Sequence, residues 1–326
     1  MTDAGQPRLS FTVTPQEANS RLDLLLTERM PETSRSRIQR ALAEGAATVD
    51  GRPRPSNYRV HAGSLVEFTR PAPPAPYLGA QDIPLNVVHC DEHLVVIDKP
   101  AGMVVHPAPG HRSGTLVNAL LHRFGDLPGD SARAGLVHRL DKDTSGLLAV
   151  ARTELAHRGL SAQLRDRTLG RIYAVVSWGQ WDDREGLIAE PIGRHPHRRR
   201  MMAVVPGGRP AGTRYRVVED FGFVQHCDAE LQTGRTHQIR VHFAHGHHPV
   251  VGDPLYGDDA RERLVHPLDR HAAQAMVARA GRQMLHAREL RLRHPATDEP
   301  LVFTSALPDD IAEVLGILRR ATPSAD

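Results

Sequence analysis

Cysteine is almost absent: Cys90 and Cys227 are the only two in 326 residues. That is too few for a disulfide framework or a cysteine-rich metal site, and both read as buried thiols. No apolar run approaches the roughly 18 residues a transmembrane helix requires. The N-terminal segment also lacks the charged, apolar and small-residue order of a signal peptide, so the expectation is a cytoplasmic protein with no membrane partner. Glycine-rich phosphate cradles, both Walker A and the dinucleotide fingerprint, are missing as well, and no nucleotide cofactor is expected. One stretch lacks acidic residues altogether. Between Pro191 and Arg216 it carries Arg194, Arg198, Arg199, Arg200, Arg209, Arg214 and Arg216, a local excess that fits either a polyanion or an arginine-rich solvated face. The bulk charge of +3 conceals it.

What is present fits about two domains at this length. Residues 1–18 have weak periodicity and read as a flexible arm. From Asn19 a small unit begins: Leu22, Leu25, Leu26 and Met30 fall at helical spacing with Ser20 placed as a cap. A second short helix follows Ser34, with Ile38 and Leu42 inward, Arg37 and Arg40 on the other face, Arg35 near its start and Gly45 at its stop. Short strands around Thr48, the Asp50-Gly51 turn and Ser64–Phe68 close this unit at residue 70. PAPPAP (71–76) is a stiff linker extending to residue 82. The remainder, 83–320 with a tail at 321–326, mixes helix and strand irregularly. It includes a helix over Glu154–Leu169, a strand over Arg171–Trp178 and a terminal hairpin, ELRLRHPATDEPLVF. This pattern predicts an α+β fold with a mixed, largely antiparallel sheet flanked by helices.

Chemistry is concentrated in AGLVHRLDKDTSG (134–146), where a charged loop lies between two apolar segments. Holding His138, Arg139, Asp141, Lys142 and Asp143 there is costly unless they pair or react. Asp141 and Asp143 are candidate carboxylates for a nucleophile or base, or else parts of an ordinary turn. A second constellation, LQTGRTHQIRVHFAHGHHPVVGDPLYG (231–257), predicts a short helix capped by Thr236 and stopped by Gly246, with Arg240 early on it. Arg240 could pair with an aspartate from another loop; taken alone it reads as a surface arginine. The histidines there, His237, His242, His245, His247 and His248, match neither HExxH nor a zinc finger, and no metal is expected. Tyr173, in GRIYAVV, reads as core packing unless it faces the Asp141 loop.

Taken together, these runs resemble the RluA-type family of pseudouridine synthases, and within it the members acting on the large ribosomal subunit. The resemblance rests on ordered blocks: DKPAGMVVHP from Asp98, HRLDKDTSG from His138, RIYAVV from Arg171, EPIGRHP from Glu190, TGRTHQIR from Thr233, HPVVGDPLYG from His248 and LHARELRLRHP from Leu285. SRSRIQR (34–40) with Val49–Gly51 resembles an S4 RNA-binding domain. This implies a pseudouridine synthase fold behind an S4-like domain, and isomerisation of uridine in RNA, large-subunit rRNA or pre-ribosomal particles, by a monomer without cofactor. Asp141 would be the essential carboxylate, Arg240 its partner and Tyr173 a stacking ring. Arg139 and His138 would bind substrate, with Ile239 and Leu285 as apolar walls. Arg35, Arg37 and Arg40 would grip RNA backbone. Two other readings compete: a ribosome-assembly factor that binds RNA without catalysis, and a metal-dependent hydrolase built on the histidines.

Overall fold

A computed structural model describes residues 8–30, 33, 35–69, 79–107, 113–129, 134–198, 201–257, 259–263 and 265–321. The chain divides into two units, 1–79 with 129–134, and 80–128 with 135–326. The Pro71–Pro76 linker, Ser34, Arg199, Arg200 and the 322–326 tail lie outside the described residues.

The first unit contains β1 (Arg8–Thr12), α1 (Leu22–Arg29), α2 (Arg35–Ala43), β2 (Ala47–Val49), β3 (Arg52–Pro53) and β4 (Leu65–Thr69). Its sheet has the order β1-β4-β2-β3, and the pairs are antiparallel. Leu22, Leu25, Leu26, Met30, Ile38 and Leu42 pack with Val49, Val66 and Phe68 into one core, so the helical spacing reads correctly as an inward face. Two expectations are corrected. Arg8–Thr12 is no loose arm but an edge strand paired along β4, because Leu9, Phe11 and Val13 alternate onto the core. Ser20 does not cap α1: Arg21 holds that position in extended backbone without a side-chain capping bond, and its carbonyl already accepts from Leu25 N. Asp50 and Gly51 both take positive φ, 53° and 73°, as a tight hairpin turn demands.

The second unit begins with β5 (Asn86–Cys90), β6 (Leu94–Lys99), α3 (Leu116–Phe124), β7 (Ser145–Ala151), α4 (Glu154–Arg165) and β8 (Gly170–Trp178). Next come β9 (Glu185–Ile188), β10 (Ile192–Arg194), β11 (Met202–Val204), β12 (Thr213–Asp220), β13 (Val224–Leu231) and α5 (Gln238–His245). A 3₁₀ turn (Asp259–Arg263), α6 (Arg270–Arg279), β14 (Leu285–Arg293), β15 (Pro300–Thr304) and α7 (Asp309–Ala321) complete it. A nine-stranded sheet runs β5-β6-β7-β14-β8-β13-β12-β9, with β15 beside β14; among the described residues only the β7–β14 pair is parallel. Apolar faces of α4 (Ala156, Leu160) and of α7 (Ile311, Val314, Leu315, Leu318) pack into separate cores against it.

Here too the sequence reading needs correction. The helix from Glu154 stops at Arg165, and Arg167 turns back at φ 61°, so Leu169 belongs to the following turn. Cys227 is buried as expected, whereas Cys90 is exposed at the end of β5, whose residues alternate in burial.

One row of backbone organises the site. Gly146 of β7 pairs with Ala287 of β14, and Ala287 pairs in turn with Tyr173 of β8. At about 4.8 Å per strand, Tyr173 therefore lies about 10 Å from Gly146, within side-chain reach of the loop that enters β7. Gly146 has φ 111°, and a Cβ there would fall 2.3 Å from the Ala287 carbonyl oxygen; only glycine fits.

Candidate active site

Asp141 sits in the loop between the buried Leu140 and the fully buried strand β7. Charge keeps that loop in place. Lys99, its side chain inaccessible at the end of β6, donates to the carbonyls of Pro100 (2.7 Å), Met103 (3.1 Å) and Lys142 (3.0 Å). Burial pushes this ammonium down to about 7, against the pull of Asp143 and Asp141. From the approach to β14, Arg282 donates to the Asp143 carbonyl (2.9 Å) and Ser145 Oγ (3.1 Å) while forking onto Asp310. Gln283 Nε2 reaches Thr144 Oγ1 at 3.2 Å, and Thr144 N closes a turn on the Asp141 carbonyl at 3.2 Å. Asp143, Thr144 and Ser145 thus build the turn that presents Asp141.

Arg240 meets it from α5. Its Nη1 donates to Asp141 Oδ2 at 3.0 Å, while Nε and Nη2 fork onto Asp253 at 2.7 Å each. The Asp253 side chain is completely buried, and its Oδ1 also accepts from Leu255 N (2.9 Å) and Tyr256 N (3.1 Å). Burial alone would lower the pKa of Arg240; the bonds and charge of Asp253, then the charge of Asp141, overcome this and raise it. The planar fork leaves Arg240 little freedom, and this is why arginine rather than lysine suits the position.

The helix carrying Arg240 starts differently from expectation. Thr236 is not its cap: His237 holds that position in left-handed backbone (φ 57°) with no side-chain cap. Gln238 closes the turn instead, its Oε1 accepting from Arg235 N (3.0 Å) and Thr233 Oγ1 (2.7 Å). His237 is thereby aimed at the site, with Nε2 3.9 Å from Asp141 Oδ1 and Nδ1 2.8 Å from the Tyr256 hydroxyl.

Tyr173 is buried on β8. Burial pushes its phenol up to about 12, Arg171 opposing and Asp141 adding to the rise, so the hydroxyl keeps its proton at neutral pH. Ile239 and Leu285 are buried too. Arg139 is exposed, its Nη1 3.5 Å from His106 Nε2. His138 serves the sheet: its Nε2 accepts from Ala149 N at 3.0 Å, which puts the ring proton on Nδ1. Burial, then the Arg171 charge, push His138 down to about 3.

Of the other histidines in that stretch, His242 bonds Thr213 Oγ1 (2.9 Å) and the Glu190 carbonyl (3.0 Å) and His248 the Trp178 carbonyl (3.1 Å), while His245 and His247 are exposed. Among the described residues no group of three His, Cys, Asp or Glu converges to hold a metal ion. In the first unit Arg35 forks onto the buried Asp23 (3.1 and 2.9 Å), which also receives Arg21 and Gln39. Arg40 is exposed, and the side chain of Arg37 lies outside the described residues. Exposed arginines 194, 198, 209, 214 and 216 flank or lie on β10 and β12.

Sequence reasoning singled out neither Lys99, Asp253 nor Tyr256 as site residues, and weighed His237 only among the histidines of a metal site. Each lies inside a matched block, DKPAGMVVHP, HPVVGDPLYG or TGRTHQIR, and that was the available signal; charge spacing alone makes each an ordinary loop residue.

Residues 93–245 match the model of the RNA pseudouridylate synthase family. The ribosomal large subunit pseudouridine synthase D of Pseudomonas aeruginosa is 46% identical over 303 residues, covering 92% of each chain. Its namesake from Escherichia coli is 40% identical over 321 residues, covering 97% of this chain and 96% of that one. Among solved structures, human RNA pseudouridylate synthase domain containing 4 superposes with a TM-score of 0.54 at 25% identity, covering 72% of this chain and 93% of that one. Its relative domain containing 1 gives 0.52 at 25% identity, with 76% and 98% covered. With relatives this similar across nearly its whole length, and a fold to match, the chain belongs to the RNA pseudouridylate synthase family of RNA-modifying isomerases.

Proposed function

We propose that this protein isomerises uridine to pseudouridine in large-subunit ribosomal RNA, with Asp141 as the essential carboxylate. The observation that carries the reading is the Arg240 fork, which ties Oδ2 of Asp141 to a buried Asp253 and leaves Oδ1 without a hydrogen bond from any of the described residues. The reaction breaks N1–C1′, turns the uracil and joins C5 to C1′; a proton leaves C5 and N1 gains one, so nothing is oxidised or hydrolysed. Asp141 acts through Oδ1, either by attack on the nucleoside or by taking a proton from the sugar. Tyr173 stacks on the uracil as a neutral phenol, and Ile239 and Leu285 wall the pocket. Arg139 fills the space left by the flipped base, whose extraction costs a few kcal/mol.

The first unit works as an S4-like domain that grips RNA backbone, together with the exposed arginines between Arg194 and Arg216. Arg40 is exposed, whereas Arg35 is already engaged with Asp23. The protein acts as a cytoplasmic monomer without a nucleotide cofactor. Incubation with protein-free rRNA, followed by chemical mapping of pseudouridine, tests the proposal. Modified sites that vanish with Asp141→Asn support it; binding without modification makes the protein an assembly factor instead.

A further inference from the structure

His237 is the one site residue that combines backbone strain with a defined hydrogen-bonded partner and a direct view of Asp141. A non-glycine residue at φ 57° is strained and persists only where its surroundings over-determine it. Here they do. The Tyr256 hydroxyl accepts from Met202 N at 2.8 Å, so its own proton points to the remaining neighbour, His237 Nδ1, also at 2.8 Å. Nδ1 therefore accepts, and the ring proton sits on Nε2, facing Asp141 Oδ1 at 3.9 Å. Tyr256 is itself held: its ring lies under the Arg240 guanidinium, 5.0 Å from centroid to Cζ.

A bond at Oδ2 alone does not fix the plane of the Asp141 carboxylate, which can swing about Cβ–Cγ. We propose that His237, oriented by Tyr256, is a positioning residue whose Nε2–H fixes that plane and directs Oδ1 toward the nucleoside. At 3.9 Å the N–H faces the oxygen without bonding it, so Oδ1 is oriented yet keeps its lone pairs for reaction. The groups facing His237 are Asp141, Arg240, Asp253, Arg139 and Tyr256. Burial, with Arg240 and Arg139, lowers its pKa against the two carboxylates, so the ring is neutral at working pH. Protonation would remove the acceptor at Nδ1 and turn the facing dipole into an ion pair with Oδ1. The wild-type rate should therefore fall on the acid side as the imidazole gains its proton.

This inference rests on the isomerase reading, and the experiment separates the two. Single-turnover release of tritium from C5 of uridine in saturating RNA is measured across pH for wild type, His237→Leu, His237→Gln and Tyr256→Phe, with RNA affinity and melting temperature alongside. His237→Leu should lose about tenfold in rate with unchanged affinity, and the acid limb due to the imidazole should disappear. His237→Gln, which restores an N–H, should recover most of the rate, and Tyr256→Phe should slow the reaction through loss of the fixed tautomer. A His237→Leu rate equal to wild type overturns the inference, as does His237→Gln as slow as His237→Leu at unchanged melting temperature. If His237→Leu does not fold, the Gln and Phe variants decide: a wild-type rate in Tyr256→Phe, or an unaltered acid limb in His237→Gln, overturns it. A wild type that releases no tritium removes both readings; an active wild type beside an equally active His237→Leu removes this one alone.

Discussion

Asp253→Asn is the sharpest perturbation of the site because it preserves shape and removes only charge. Asp253 accepts four hydrogen bonds, two from Arg240 and two from the backbone of Leu255 and Tyr256. The asparagine oxygen can keep the backbone pair and Nη2, which leaves its amide nitrogen pointing at the Nε donor. Removing one partner of a buried ion pair costs about 3–5 kcal/mol. Asp141 still shares the Arg240 charge, which places the expected loss near the lower limit, about 3 kcal/mol. At about 2–4 °C per kcal/mol for a unit of this size, the melting temperature should fall by about 6–12 °C. Activity should suffer on a separate scale: a guanidinium freed from its fork no longer fixes Asp141, and misplacement of about 1 Å costs about 10²-fold. Calorimetry and single-turnover tritium release measure the two effects. A variant melting within about 1 °C of wild type, with a rate within about twofold, would refute the view that the fork organises this site.

Asp141→Asn should abolish product while leaving folding and RNA affinity near wild type, because Arg240 keeps Asp253; residual wild-type rates would remove Asp141 from the chemistry. Lys99 falls from 10.5 to about 7 on burial, so between those values the unfolded chain holds a proton that the fold lacks. Stability from this group rises with pH there, and the melting temperature of wild type minus that of Lys99→Met should become more positive from pH 7 to about pH 10; a flat difference contradicts the burial argument. Arg40→Ala should weaken RNA binding and flatten the log affinity against log salt plot by about one unit, checked by titrations at several salt concentrations. An unchanged slope would free Arg40 from any phosphate role.

Periodicity exposed the inward faces of α1 and α2, and alternation exposed the terminal hairpin, because both follow directly from backbone geometry. Asp141 and Arg240 were legible through local crowding of charge and through the matched blocks. Their fork was not: Asp253 lies thirteen residues from Arg240 and bonds it only because the turn after α5 folds back. Lys99 reads as a solvated lysine until three carbonyls surround it. The errors share one cause. Ser20, Thr236 and Leu169 follow from residue preference, whereas Arg21, Gln238 and Arg167 settle those termini by what they bond or how the chain turns.

The placement of β14 bears on how the enzyme comes into being. Its first residues pair with the exit of the Asp141 loop at Ser145–Gly146, about 140 positions earlier in the chain. During synthesis that loop emerges long before the strand, the Arg282 clamp and the Gln283 bond that define it. At about 5–20 residues per second, a nascent chain spends several seconds or more with β7 made and its neighbour missing. The loop can acquire its geometry only when this late strand slots between β7 and β8, so a released polypeptide truncated before residue 285 should be incapable of turnover even with Asp141, Tyr173 and Arg240 all present.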